Sequence, residues 1–330
     1  MFLLLPLIVL AYYFSDSTSA FLSEPILALS NYLHNFCLSF SKASPYEGLY
    51  QSLSCGKKLP SHWYSLFANS GLIHLIIISG LHISLIYRSL THLQSKILLL
   101  PKSITISLNL FLLLLYTFML NISAPALRAY FFQVIKLINN YGKLHWPSSY
   151  LVLLSVLLSL LFKPSLWASI SLLLSWSAIL IIYFLHQVLS HPLIPSVYKK
   201  PFIKIPIQSA LLYLFLFPIL SQFNSIHPFS IFIQILFTPL LLLFLIPLSI
   251  LQYFFFSNLF FADYLWKIFF SLLTPLQNLL VNGPTADKLP LLYFWIYTIS
   301  LQFCLSLFEV YIKKYKLSMK KNIHLKNHDL

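Results

Sequence analysis

The sequence predicts an all-α protein, a polytopic bundle of transmembrane helices with about nine to ten spans. Hydrophobic residues make up 59% of the 330 residues, and charged residues make up only 8%. The mean hydropathy is +0.83. A chain of this composition has too little polar surface to cover a soluble globule. The composition therefore excludes an ordinary soluble enzyme or a soluble binding module and predicts one membrane domain.

The predicted spans follow one another along the chain, each an apolar run approaching the about 20 residues that cross a bilayer. The first, Phe2 to Phe14, is short and lacks the basic start of a signal peptide. The others are Ser70 to Tyr87, Ile97 to Leu120, Pro125 to Ile138, Ser148 to Phe162, Leu166 to His186, Ile207 to Gln222, Phe229 to Phe255, Phe260 to Val281 and Leu289 to Ile312. Prolines inside them, such as Pro218, Pro239, Pro247 and Pro275, predict kinked or broken helices.

The cations predict the orientation of the chain, which has 21 Lys and Arg residues against 7 Asp and Glu residues. Placing the basic tail 313–330 in the cytoplasm puts the connections 88–102, 136–143 and 199–204 on the same side, as the positive-inside rule requires. We interpret the tail as a topogenic anchor at anionic lipid rather than a nucleic-acid-binding arm. The outward-facing lysines are then Lys42, Lys57, Lys58, Lys163 and Lys288.

The same orientation divides the chain into three parts. Residues 1–69 form the weak first span and an extracytoplasmic loop, residues 70–312 form the transmembrane domain, and residues 313–330 form the cytoplasmic tail. The loop holds Cys37 and Cys55 in a compartment where a disulfide persists. Two cysteines also occur as free buried thiols, so the bridge and the free thiols stay open as alternatives.

The stretch from Ser70 to His82 places polar groups inside an apolar span. His74, Ser79, Gly80 and His82 all lie in it, and polar groups at membrane depth mark a functional site because each unpaired group is costly there. The two histidines are eight residues apart, which is not a zinc spacing, so no metal is expected. Both histidines either donate to backbone carbonyls in the core or line a pore. Gly80 permits a helix break or a close helix approach.

A second polar feature is Arg128, which follows Pro125 one helical turn into a predicted span. Its guanidinium either snorkels to the outer interface or lines a path for an anion. Asp263 and Glu309 are the only carboxylates in or near the spans that offer it a partner.

The residues Leu66 to Leu75 and Ile78 to Ile83 resemble the signature of the ComEC family of competence proteins. Three further stretches are similar in order and spacing, namely Ser123 to Ala129, Leu172 to Ala178 with Trp176, and His227 to Pro247. The resemblance covers about residues 46 to 255. Relatives often carry an asparagine shortly before the proline that matches Pro239, where this chain has Gln234.

The resemblance implies an inner-membrane channel that carries single-stranded DNA into the cytoplasm during natural transformation. His74, Ser79, Gly80, His82, Arg128 and Trp176 are then expected to line the DNA path or to build the channel. Aromatic residues such as Trp176 and Tyr130 offer stacking surfaces for bases, although such residues more often form interfacial belts. The expected partners are single-stranded DNA, membrane lipids, a periplasmic DNA receptor, a separate nuclease and a cytoplasmic ATPase, with a homo-oligomer as a further expectation.

The chain departs from full-length relatives, which commonly carry an OB-like domain and a metallo-β-lactamase-like domain. No His-x-His-x-Asp-His cluster occurs after residue 255 and no P-loop is present, so neither enzymatic activity nor a cofactor is expected. Two other hypotheses stay open. One is a transporter of another anionic solute that uses the kinked helices around Arg128, and the other is a truncated relative that no longer transports.

Overall fold

The computed structural model describes residues 24–40, 44–76, 80–97, 99, 101–189, 195, 200–221, 230–255, 261–278 and 290–328. These residues form α-helices joined by short turns, and no β-strand occurs among them. The all-α class expected from the composition is confirmed. The predicted first span, Phe2 to Phe14, lies outside the described residues.

The helices are numbered here in chain order. They are α1 (Glu24–Leu38), α2 (Glu47–Cys55), α3 (Ser61–Asn69), α4 (Ile73–Ile76), α5 (Gly80–His92), α6 (Lys102–Met119), α7 (Ala124–Tyr141), α8 (Ser148–Phe162), α9 (Ile170–Leu189), α10 (Pro201–Leu220), α11 (Ser230–Leu240), α12 (Ile246–Phe254), α13 (Phe261–Asn278) and α14 (Leu291–His328). A π-helical turn, Leu93–Ile97, follows α5, a second one, Leu241–Leu245, joins α11 to α12, and a 3₁₀ turn, Pro164–Ala168, precedes α9.

Prolines set the starts of several helices. Pro60, Pro101 and Pro147 directly precede α3, α6 and α8, and Pro125 lies in the first turn of α7. Proline has no N–H to leave unpaired and its fixed φ suits a helix start. Pro239, by contrast, lies inside a helix, and the run continues beyond it through the π-helical turn. Proline removes one backbone hydrogen bond of the helix, and a π-helical turn next to it lets the helix continue with a local change in hydrogen bonding.

Four helical segments in the described part of the chain are long and apolar enough to cross a membrane, namely Lys102–Met119, Ile170–Leu189, Ser230–Phe254 and Leu291–Ile312. Ser148–Phe162 and Pro206–Leu220 are apolar but shorter. In the predicted span Ser70 to Tyr87, residues 70–72 form a turn, and the described helical parts are Ile73–Ile76 and the helix that begins at Gly80. The outer surface of the bundle is apolar, with exposed side chains such as Phe232, Leu243 and Val310.

The predicted extracytoplasmic loop is largely helical. Its described residues form α1, α2 and α3, and every residue from Leu49 to Cys55 is buried. Helix α2 packs against α12, and the Tyr50 hydroxyl donates to the Asp263 carboxylate at the start of α13. Burial beside that carboxylate raises the pKa of Tyr50, which keeps the phenol protonated as a donor. Length and polarity predicted a loop, but tertiary contacts that the local sequence does not show make this segment part of the bundle.

A disulfide bond joins Cys37 to Cys55 and thereby connects α1 to α2. Of the two alternatives that the sequence left open, the structure has the bridge. The Tyr253 hydroxyl on α12 donates to the Cys37 carbonyl over 2.8 Å. The third cysteine, Cys304, is free and exposed on α14.

Two large hydrophobic cores fill most of the described bundle, and a small third cluster around Leu113 lies between α5, α6 and α7. The first core, formed mainly by α7 to α10 and α14, surrounds Trp176 and Trp295. The second core, formed by α2 to α4 and α11 to α13, surrounds Trp266 and Phe269. Helices α10 and α11 pack against each other and connect the two cores. The polar break in the chain described below lies where the cores meet.

Helix α14 continues without interruption from Leu291 to His328. The segment predicted as a short polar tail is therefore helical through residue 328. No proline or glycine occurs between Leu291 and His328, and lysine is a good helix former, so nothing in the sequence ends the helix at the membrane boundary.

Loss of the bridge should destabilise the fold. Replacing Cys37 with Ser removes the covalent link between two residues that are 18 apart in sequence. We expect the free energy of unfolding of the detergent-solubilised protein to fall by about 3 kcal/mol. Cys304→Ser is the matched control, because that thiol is free and exposed. Equal thermal unfolding of the two variants would contradict the expectation.

Candidate functional site

The helical run is interrupted at Ser70 and Gly71, directly after α3. Helix α3 ends at Asn69, and Gly71 has φ +74°, in the left-handed region that favours glycine. The Gly71 N–H donates to the Ala68 carbonyl over 3.0 Å, which ends the helix as an αL cap does. The short helix α4 then starts at Ile73. A helix break therefore lies at Gly71, while the break or close helix approach expected at Gly80 stays a prediction, because residues 77–79 lie outside the described part of the chain.

Polar side chains from three helices surround this break. The Gln234 Nε2 group on α11 and the His74 Nδ1 group on α4, the latter at 3.0 Å, both donate to the Gly71 carbonyl. Beside them the hydroxyls of Tyr213 on α10 and Ser230 on α11 form a hydrogen bond. A carbonyl freed by a helix break inside an apolar bundle needs such donors. This group of residues, Gly71, His74, Tyr213, Ser230 and Gln234, is called the break cluster below.

His74 is therefore engaged with the backbone. Its contact with the Gly71 carbonyl requires a proton on Nδ1, which agrees with the interpretation of a core histidine that donates to a carbonyl. A role of His74 in a DNA path stays a prediction. Helix α5 begins at Gly80, Ser79 lies outside the described residues, and the side chain of His82 is not among those described.

Arg128 lies in the first core on α7 and is 2% exposed. Its Nε donates to the Ser175 hydroxyl on α9 over 3.0 Å, and Nη1 is buried with no hydrogen-bond partner in the described part of the protein. Tyr183, two turns further along α9, interacts electrostatically with Arg128 and with Arg88 on α5. The snorkelling interpretation is wrong for this structure, because protein side chains enclose the guanidinium on all sides.

The two carboxylates proposed as partners of Arg128 bind elsewhere. The Asp263 carboxylate accepts from Ser44 over 3.0 Å, from Tyr50 and from Gln252 over 3.2 Å. The Glu309 carboxylate accepts from the hydroxyl and backbone N–H of Ser149 at the start of α8, and from Gln187 over 2.8 Å.

Both carboxylates thus hold helices together, Asp263 in the second core and Glu309 between α14, α8 and α9. Burying a charge without a partner has a penalty of several kcal/mol. Arg128 is therefore held in place at the expense of stability, and this is the usual property of a functional charge rather than a structural one.

Trp176 is fully buried beside the Arg128–Ser175 contact. Its indole Nε1 donates to Gln302 on α14 over 3.1 Å, and its ring packs edge-to-face on Trp295 with centroids 6.0 Å apart. The ring thus joins α9 to α14 and presents no free surface on which a base could stack. Tyr130 is half-buried on α7 and packs against the small third cluster around Leu113.

The structure does not bring all the predicted residues into one site. His74 belongs to the break cluster, and Arg128 and Trp176 lie together in the first core. Gln234, Tyr213 and Ser230 are the residues that sequence reasoning missed as partners of the break; the only signal for them was the polar residue Gln234 in an apolar span. Among the described residues, no group of three His, Cys, Asp or Glu side chains could hold a metal ion.

Together the fold and these polar groups define a polytopic helical membrane protein with a broken helix and a buried cation that has no carboxylate partner among the described residues. The family model described as "Competence protein" matches residues 53–313, so the chain belongs to the competence protein family. The matched range includes the break cluster, Arg128 and Trp176. No curated protein and no solved structure matches the chain.

The break cluster generates a stability prediction. Replacing Gly71 with Ala places a side chain at φ +74° and a Cβ atom 3.1 Å from the Gln234 amide nitrogen. The left-handed backbone alone has a penalty of about 1–2 kcal/mol, and crowding of Gln234 adds to it. Gly56→Ala is the matched control, since Gly56 is exposed and has φ 73°. We expect Gly71→Ala to unfold at the lower temperature, and equal unfolding would show that Gln234 is not crowded.

Proposed function

We propose that this protein is the membrane channel component that carries single-stranded DNA across the cytoplasmic membrane during natural transformation. Membership of the competence family supports a role in competence and DNA uptake. The observation that carries the finer proposal is the buried guanidinium of Arg128, which has no carboxylate partner within the described residues. A cation held in this way is suited to a passing phosphate.

The break cluster supports the same proposal. A strand of phosphodiesters that crosses about 30 Å of hydrocarbon needs water, fixed dipoles and a few cations along its path. A discontinuous helix at membrane depth is tolerated where its free backbone groups have partners or line a cavity. In this proposal the turn at Gly71 positions α4 and α5 beside the path, and Arg128 neutralises the strand at its most enclosed point.

The proposed setting follows from the topology predicted by the cations. The protein lies in the inner membrane with its C-terminus in the cytoplasm, and it acts as a transport component rather than as an enzyme. It receives the strand from a periplasmic DNA receptor, while a separate nuclease removes the other strand and a cytoplasmic ATPase pulls. Membrane lipids surround the bundle, and a homo-oligomer is compatible with its apolar outer surface.

Deleting the gene tests the proposal directly. Labelled DNA should still bind the cell surface and reach the periplasm, but it should no longer reach the cytoplasm, so transformants should be lost. A deletion strain that internalises DNA normally would exclude the channel role and would leave a transporter of another anion, or an inactive relative, as the alternatives.

Arg128 provides the sharper prediction. Arg128→Gln should reduce DNA internalisation at least about tenfold, because removing one charge-assisted contact in an enclosed site forfeits 1.5–3 kcal/mol. The same variant should unfold at an equal or higher temperature, since it removes a buried unpaired charge. Arg128→Lys should retain part of the activity. A merely structural arginine would show the opposite pattern, with lower stability and normal uptake.

The matched control for Arg128 is Lys136→Gln. Lys136 lies on the same helix α7 and is exposed, so the change in charge and length is comparable while the buried cation is retained. Membrane insertion of all variants is checked by protease accessibility. Normal uptake by Arg128→Gln would overturn its proposed place in the DNA path.

A further inference from the structure

A cavity of about 320 Å³ opens between the segment after α2, the start of α7 and the start of α9. Three lysines, Lys57, Lys58 and Lys163, contribute to its lining, and the lining contains no Asp or Glu. All three belong to the lysines that the sequence predicts on the extracytoplasmic side. The positive-inside rule explains clusters of lysine on the cytoplasmic side only, so this cluster needs a different reason.

The contacts of these lysines are with neutral oxygens. The Lys57 ammonium donates to the Gln51 side-chain oxygen over 2.6 Å, and the Lys163 ammonium lies 3.5 Å from the Ile122 carbonyl oxygen. The Glu47 carboxylate accepts from the Gln51 amide over 2.9 Å and is not part of the lining. Burial lowers the pKa of Lys163, as expected of a cation held without a counter-charge.

Two helix starts and an aromatic ring complete the lining. Helix α7 begins at the cavity with Ser123, Ala124 and Pro125, and the Ser123 hydroxyl is buried with no hydrogen-bond partner in the described chain. Ser171 in the first turn of α9 also lines the cavity, and so does the half-buried ring of Tyr64. Lysines, helix starts and a ring together provide the positive groove and the stacking surface that single-strand binding uses.

The cavity lies close to Arg128 along two helices. Ala124 in the lining is four residues before Arg128 on α7, and Ser171 in the lining is four residues before Ser175 on α9. Four residues of helix rise about 6 Å. The contact between Arg128 and Ser175 therefore lies about one helical turn from the cavity along α7 and α9, while the lining lysines lie on the segments that follow α2 and α8.

We propose that this cavity is a binding site for the phosphodiester backbone of an incoming single strand, held by Lys57, Lys58 and Lys163 on the way to Arg128. This inference rests on the proposed channel function, for which it assigns the outer binding site. The phosphate of an anionic lipid headgroup shares the same chemistry. The ring of Tyr64 and the buried guanidinium of Arg128, which has no carboxylate partner among the described residues, favour a nucleic-acid strand, because a lipid headgroup uses neither.

The test measures how fast each lysine reacts with an amine-modifying reagent, read by mass spectrometry. The full-length protein is held in nanodiscs of zwitterionic lipid, with and without a single-stranded oligothymidylate. We expect the oligonucleotide to protect Lys57, Lys58 and Lys163 from modification. Lys96 and Lys102, which are exposed and predicted on the opposite side, are the internal controls and should react at an unchanged rate.

A double variant makes the result quantitative. In Lys57→Gln/Lys58→Gln, a higher oligonucleotide concentration should be needed to protect Lys163. The slope of log affinity against log salt concentration should become shallower by about 1.4, because each of the two lost phosphate contacts to a single strand contributes about 0.7. The matched variant Lys96→Gln/Lys102→Gln should keep the slope of the unaltered protein.

The outcomes separate this inference from the channel proposal. Lysines protected by phosphatidylglycerol but not by the oligonucleotide would assign the site to lipid and overturn the inference, as would a slope unchanged in Lys57→Gln/Lys58→Gln. If that occurs while gene deletion still abolishes DNA internalisation, the channel function stands without this site. If the oligonucleotide protects the lysines but gene deletion leaves DNA internalisation normal, the site binds a single strand and the proposed channel function is excluded.

Discussion

The hydrogen bonds to the Gly71 carbonyl are the contacts on which the arrangement of this bundle depends. A helix that ends inside an apolar bundle leaves carbonyls without partners, and no water is present in hydrocarbon to bind them. Here Gln234 and His74 supply the donors, and Tyr213 and Ser230 close the polar patch beside them. Since Tyr213 belongs to the first core and α11 contributes to the second, satisfying this one break also sets how the two cores meet.

The scarcity of acidic residues leaves one buried cation without a carboxylate partner among the described residues. The chain has 7 acidic residues, and the two that lie near the spans each join helices, so neither is free to neutralise Arg128. The result is a buried cation whose Nη1 group has no hydrogen-bond partner among the described residues. Structural arginines in cores are paired with a carboxylate because unpaired burial is unfavourable. The departure from that pattern in a competence-family protein is the physical basis for the proposal that Arg128 lies on the path of a polyanion.

The residues nearest the proposed path are held by neutral hydrogen bonds. Ser175, Trp176 and Ser177 on α9 contact Arg128, Gln302 and Thr298 respectively, so one helix carries the cation's partner and the contacts to α14. Stacked rings of Trp167 and Trp295, 4.9 Å apart, pack next to them. Rigid neighbours of this kind keep a buried charge in a defined position, which a selective anion path requires.

The sequence by itself determined the class of the protein, because composition alone excludes a soluble globule and apolar runs favour helices in lipid. It also identified the family through residues 66–83, and it singled out Arg128 and the pair Cys37 and Cys55. Tertiary structure decided the rest. The segment before residue 70 packs into the bundle through contacts such as that of Tyr50 with Asp263, more than 200 residues later in the chain. The carbonyl at the Gly71 break has a donor because the fold places Gln234 beside it. Such contacts join positions that are distant in sequence, and no local pattern of hydropathy or charge encodes which of them will meet.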